Sequence, residues 1–108
     1  MKEYLQLKGN AKKCTHLKVE VYYSLGGMNY FTYKTEPCGY YLSMSPVERT
    51  VRNGFISEGY TAFSGNKVLL KEVARKSKKA EQEALKTAEE IKNYYIDKVL
   101  EKNGLELA

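Results

Sequence analysis

The hydrophobic period of this chain changes once, and no other feature constrains the fold as much. Up to residues 64–66, apolar and polar side chains alternate in short, tyrosine-rich runs, the period of two expected of β-strands. Beyond that seam, apolar or small residues recur at Leu70, Val73, Ser77, Ala80, Ala84, Ala88, Ile91, Tyr95 and Val99. Steps of three and four place them on one face of a helix. The 108 residues suit one domain, divided into a β-sheet over residues 1–64 and a long helix over residues 66–102. The expected class is α+β, an antiparallel β-meander of about four strands followed by one long C-terminal helix. Such a helix would run ~55 Å at about 1.5 Å per residue, against a radius of gyration of about 13 Å for a domain of this size. It must bend, break, or reach a partner.

The individual strands follow from alternation and turn chemistry. Along His16–Ser24, residues Leu17, Val19, Val21 and Tyr23 face one way and Lys18, Glu20 and Tyr22 the other. Gly26-Gly27 supplies the positive φ angles of a tight turn, and residues 28–35 return as a second strand. Glu36-Pro37-Cys38-Gly39 is the next turn. Residues 40–45 form a third strand that Pro46 bends or confines to an edge, with residues 47–51 continuing it. Asn53-Gly54 is a strong hairpin signal before a fourth strand over residues 55–63. A short extra strand fits residues 4–7. Ser64 is placed to cap the helix, and Asn103-Gly104-Leu105 reads as its Schellman end. Two points test the single-helix reading: residues 67–73 carry a Val-Leu-Leu run that also suits a strand, and Ser77 is where a helix would break.

Composition narrows the classes. The 43% apolar and 29% charged fractions are those of a globular chain. No run approaches the roughly 20 apolar residues that cross a bilayer, and the first eight residues lack the apolar core of a signal peptide. Cys14 and Cys38 are too few for a disulfide scaffold, so the expected setting is the reducing cytoplasm. A single Cys14–Cys38 bridge is the alternative for an exported chain.

Charge is unevenly placed. Residues 67–79 hold Lys67, Lys71, Arg75, Lys76, Lys78 and Lys79 against Glu72 alone, a net +5. Residues 80–108 carry a net −3. Such a cluster attracts phosphate or an acidic protein surface. It also suits a solvated helix face, since Glu72–Lys76, Lys79–Glu83 and Lys86–Glu90 stand at the spacing of helical ion pairs. Eight of the ten tyrosines precede residue 61. One helix covers only one face of a sheet, yet Tyr22 opposes Tyr23, Tyr30 opposes Tyr33, and Tyr40 opposes Tyr41. Rings on the open face either pair across strands or form a binding surface.

Catalytic chemistry has little to work with. A general base or activated nucleophile must be positioned, and the chain has one histidine, His16, at the start of a strand. Cys14, His16 and Cys38 lack the paired C-x-x-C spacing of a zinc site. Gly26-Gly27 precedes no helix and no G-K-[ST], which separates it from a phosphate loop. No enzyme, cofactor or metal is expected.

Ser77-Lys78-Lys79-Ala80, followed by Ala84 and Ala88, resembles the start of the last helix in double-stranded-RNA-binding domains. In that family a lysine pair at the helix N-terminus grips phosphates. The likeness spans about a dozen residues. No helix precedes the strands, Glu81 and Glu83 depart from the family pattern, and Lys78 and Lys79 read as lying inside the helix. Gly39-Tyr40-Tyr41-Leu42-Ser43, Pro46-Val47-Glu48 and Lys67-Val68-Leu69-Leu70-Lys71-Glu72 resemble small mobile-element proteins of Gram-positive gut bacteria, a likeness that implies no activity. The expected function is that of a non-enzymatic interaction protein, binding protein through its long helix and tyrosine-bearing sheet. The homodimer is the expected assembly, because Ile91, Tyr95 and Val99 would overhang a small sheet. The alternative is a nucleic-acid binder using Lys67, Lys71, Arg75, Lys76, Lys78 and Lys79, with Tyr22, Tyr30 and Tyr41 as contact or stacking residues.

Overall fold

The computed structural model describes residues 1–9, 13–30 and 33–108. Among them lie strands β1 (Lys2–Gln6), β2 (His16–Ser24), β3 (Gly27–Asn29), β4 (Lys34–Glu36), β5 (Gly39–Arg52), β6 (Phe55–Tyr60) and β7 (Asn66–Glu72), then helix α1 (Lys78–Asn103). The architecture is α+β, an antiparallel sheet followed by one long C-terminal helix. Five strands make the main sheet, and β3 and β4 form a small separate hairpin. The second predicted strand is therefore two three-residue strands around a turn, and its residues 31 and 32 lie outside the described residues.

The organising element is the fourteen-residue β5. Along one edge it pairs with β2 from Ser24↔Gly39 to His16↔Val47. On the other edge β7 takes Gly39–Met44 and β6 takes Val47–Arg52. The order is thus not that of a simple meander, since β7 returns past β6 to reach the first half of β5. Pro46 stands between the two segments. The carbonyl of Val47 accepts from Thr15 N–H on the β2 side, so the ring nitrogen of Pro46 faces the gap between β6 and β7. A residue without an N–H costs no ladder bond there.

The boundary between sheet and helix lies at residues 72–78 rather than 64–66, which corrects the expected helix start. Val68 and Leu70 turn to the helix-covered face and pack against the core, while Leu69 is exposed. That alternation belongs to a strand. The cap is Ser77 and not Ser64. Its hydroxyl accepts from Ala80 N–H at 3.1 Å, and its φ of −152° is non-helical, as an N-cap requires. Ser64 instead meets the opposite helix end, exchanging hydrogen bonds with the Asn103 side chain. Gly104 takes the left-handed φ of 66°, and Leu105 N–H reaches the Leu100 carbonyl at 2.9 Å, the Schellman closure read from the sequence.

Helix α1 has 26 residues, about 39 Å at the standard rise, and so fits the 40 Å long axis of the molecule. Its apolar stripe covers one face of the sheet. Leu17, Val19, Leu42 and Met44 pack there against Ala88, Ile96, Val99 and Leu100, with Ile91 and Tyr95 beside them. The alanines at the helix start let it approach Tyr40 closely. The distal stripe expected to overhang the sheet is thus part of this chain's own core. Cys14 and Cys38 are free thiols near opposite ends of β2, Cys14 beside His16 and Cys38 donating to the Leu25 carbonyl. Burial pushes the Cys14 thiol up.

Candidate interaction surfaces

The six cations of residues 67–79 do not form one surface. Lys67, on β7, faces away from the helix. Its ammonium lies 2.5 Å from Glu36 and 4.7 Å from the centre of the Tyr41 ring, and the hydrogen bond to Glu36 holds its pKa up. Lys71 reaches across to α1, 2.5 Å from Glu83, whose carboxyl it holds down. Arg75 and Lys76 stand on the connection of residues 73–77, and Lys78 and Lys79 open α1. All four are exposed, and none has a carboxylate within ion-pair distance among the described residues. The lysine pair therefore begins the helix, which corrects its expected placement in the helix interior. Lys76 and Arg75 border a shallow groove of about 490 Å³ with Tyr23, Leu25 and Ala74. The Tyr23 hydroxyl holds this connection by donating to the Ala74 carbonyl at 2.9 Å.

The tyrosines named as contacts separate equally. Tyr22 and Tyr41 stack on the open face, with centroids 6.0 Å apart and planes 23° from parallel. Tyr41 is buried beneath Lys67, and its hydroxyl is committed to the Pro37 carbonyl. It is a cross-strand support rather than a stacking platform. Tyr22 is half-buried, and desolvation raises its phenol pKa. Tyr30 alone of the three is freely displayed, at the β3–β4 turn.

The most exposed apolar surface was not anticipated. Beyond Val47, β5 leaves β2 behind and runs with β6 alone, forming a two-stranded arm. Asn53 and Gly54 turn it with φ of 50° and 79°, the paired positive angles of a two-residue hairpin. Every residue of β6 is exposed. Val51, Ile56 and Tyr60 share one face and Phe55 takes the other, with Tyr60 fully accessible. The signal was present in Phe55-Ile56, since two adjacent apolar residues after a tight turn cannot both face one core.

A polar cluster fixes the arm to the open sheet face. Glu58 accepts from Lys18 at 2.6 Å and from the Tyr4 hydroxyl at 2.5 Å. Arg49 lies 4.1 Å above the Tyr4 ring. Those two hydrogen bonds hold the Glu58 carboxyl below its ordinary range and lift Lys18. Thr15 adds a tie by accepting from Arg49 N–H at 2.8 Å.

Among the described residues, no three His, Cys, Asp or Glu side chains gather as metal ligands, and no helix is long and apolar enough to cross a membrane. No family model, curated protein or solved structure matches this chain.

Proposed function

We propose that the chain is a small non-enzymatic interaction protein of the cytoplasm that holds a protein partner through its β5–β6 arm. The supporting observation is the display of Val51, Phe55, Ile56 and Tyr60 on a strand pair with no layer over either apolar face. Isolated exposed apolar residues are ordinary, whereas a group of them on one projecting element marks a contact surface. The long helix and the sheet tyrosines lose that role in this reading, because the helix stripe and Tyr41 are already covered by the chain itself.

The test is affinity capture from the native host with the intact chain and with a Phe55→Ser, Ile56→Lys, Tyr60→Lys variant. These side chains are exposed, so the variant keeps its fold and melting temperature. The expected result is loss of a protein that the intact chain retains. An unchanged set of retained proteins would overturn the reading.

A second reading is favoured by the four uncompensated cations at the start of α1: binding of a nucleic-acid backbone through Arg75, Lys78 and Lys79, with Lys76 at the Tyr23 groove. Affinity should then fall steeply with salt, because each neutralised phosphate releases counterions. Reversal of Arg75, Lys78 and Lys79 to glutamate should abolish it. Fluorescence anisotropy with single- and double-stranded oligonucleotides at low salt decides this, and absence of saturable binding at micromolar protein ends the idea.

A further inference from the structure

We infer that the arm pairs with the arm of a second copy, β6 against β6, antiparallel and centred on Glu58. This rests on the reading of the arm as the interaction surface and names its occupant.

The three strands that border the main sheet are not equally protected. Unpaired strand edges invite further strands, and proteins defend them with charges, bulges or covering segments. β1 carries Lys2 and Glu3, and the C-terminal residues lie along it through Lys8 N–H to Glu106 O and Ala108 N–H to Gln6 O. β7 carries Lys67, Lys71 and Glu72 and has a register shift opposite Tyr40 and Tyr41. β6 has no such defence. Its one charge, Glu58, is drawn onto the sheet by Lys18 and Tyr4.

The hydrogen-bonding direction of β6 follows from β5. Val47 O and Arg49 N both point to Thr15 on the β2 side. Glu48, Thr50 and Arg52 therefore bond to β6, through their partners Gly59, Ser57 and Phe55. Ile56, Glu58 and Tyr60 are left with N–H and C=O groups turned to the open edge. A second β6 running antiparallel about Glu58 satisfies all three. Ile56 then lies opposite Tyr60 of the second copy, and small Ser57 lies opposite small Gly59. Moving the centre to Ser57 sets Ile56 against Glu58, and moving it to Gly59 sets Glu58 against Tyr60. Of these three centres, only Glu58 joins apolar to apolar; centring on Ile56 or Tyr60 would pair one apolar residue with itself but carry the other edge groups beyond the facing strand.

Charge and area agree with an identical partner. At the axis each Glu58 is already paired with its own Lys18, so the two carboxylates meet as neutralised groups. In this register the two copies add ladder hydrogen bonds at residues 56, 58 and 60 and bury the facing parts of Ile56 and Tyr60, while Val51 lies one strand back on β5 and Phe55 on the opposite face. An area that small belongs to the weak, transient class of interfaces, which suits a dimer formed at micromolar concentration.

Light scattering with in-line chromatography should give a dimer mass at 100 μM, falling to the monomer in an Ile56→Lys, Tyr60→Lys variant. Register is read separately in a Cys38→Ser background, with one chain carrying Ser57→Cys and another Gly59→Cys. Gly59 has open space for a side chain, and a non-hydrogen-bonded cross-strand pair has the Cα separation that a disulfide accepts. The mixed pair should cross-link at least tenfold faster than either chain with itself. A monomeric intact chain, a dimer that survives the double lysine variant, or equal cross-linking rates would each overturn the proposal. A monomer leaves the broader reading of the arm standing; that reading falls only when arm substitutions release no captured protein.

Discussion

Residues 39–44 of β5 have β2 on one edge and β7 on the other, whereas residues 50–52 have β6 alone. Leu42 and Met44 in the first segment are wholly buried; Val51 in the second is 68% exposed. The first segment carries aromatic Tyr40 and Tyr41 and the second β-branched Thr50 and Val51, both kinds of strand former, so strand propensity does not separate them. What separates them is the number of neighbouring layers. The first segment lies between two strands and under α1, and the second has outrun both β2 and the helix. A strand contributes to a core only over the length that its neighbours match.

The most severe way to break this comparison is Met44→Ala or Leu42→Ala. Each leaves a cavity beneath α1 and should cost about 2–5 kcal/mol, measured by urea unfolding. Gly39→Ala comes next. A Cβ there would collide with the Lys71 carbonyl of β7, and such overpacking costs about 1–3 kcal/mol. Amide exchange should show β7 losing protection while β6 is unchanged. Tyr40→Phe removes a hydroxyl that donates to Ser77 O at 3.3 Å and accepts from Ser77 N–H at 3.4 Å. These long bonds should be worth about 0.5–1.5 kcal/mol together, seen as a small fall in melting temperature.

Acid sharpens the comparison from the arm's side. The Glu58 carboxyl is held down by Lys18 and Tyr4, so its folded pKa lies below its unfolded one. Its contribution is present above the ordinary carboxylate range and is lost as pH falls through the depressed folded value. Exchange of residues 55–60, corrected for intrinsic rate, should therefore rise at pH 3 while residues 39–44 stay protected. The smallest effect belongs to Val51→Ala, which should stay within about 0.5 kcal/mol of the parent. A larger loss would mean that a further layer covers the Val51 face in solution, which pairing at the β6 edge does not supply.

Local chemistry made much of this fold legible. The alternation of β2, the Asn53-Gly54 turn and the Gly104-Leu105 helix end each depend on residues within a few positions of one another, and each stands as read. β7 was misassigned because Leu70 and Val73 extend the three-and-four spacing of the helix stripe backwards, while Val68 and Leu70 alternate as a strand does. The decision is made by residues 39–44 of β5, remote in sequence, which offer an edge to pair with. The basic cluster shows the same limit. Lys67 and Lys71 look equivalent to Lys78 and Lys79 until Glu36 and Glu83 arrive from other elements. Phe55-Ile56 signalled that one apolar side chain must face outward, but the full length of the exposed arm was hidden, since it depends on β2 starting its pairing at His16 and no earlier.

Because β5 is shared by three strands, it also sets the order in which the chain can assemble. The arm closes through a two-residue turn, an event of about 1–10 μs. β7 can reach the first half of β5 only after a loop spanning the whole arm has closed, at a larger entropic cost. The part of the sheet that forms earliest is thus the part that shields least. A chain still emerging from the ribosome would hold a finished hairpin while Leu42 and Met44 remained bare, and they would stay so until the last third of the polypeptide arrived to cover them.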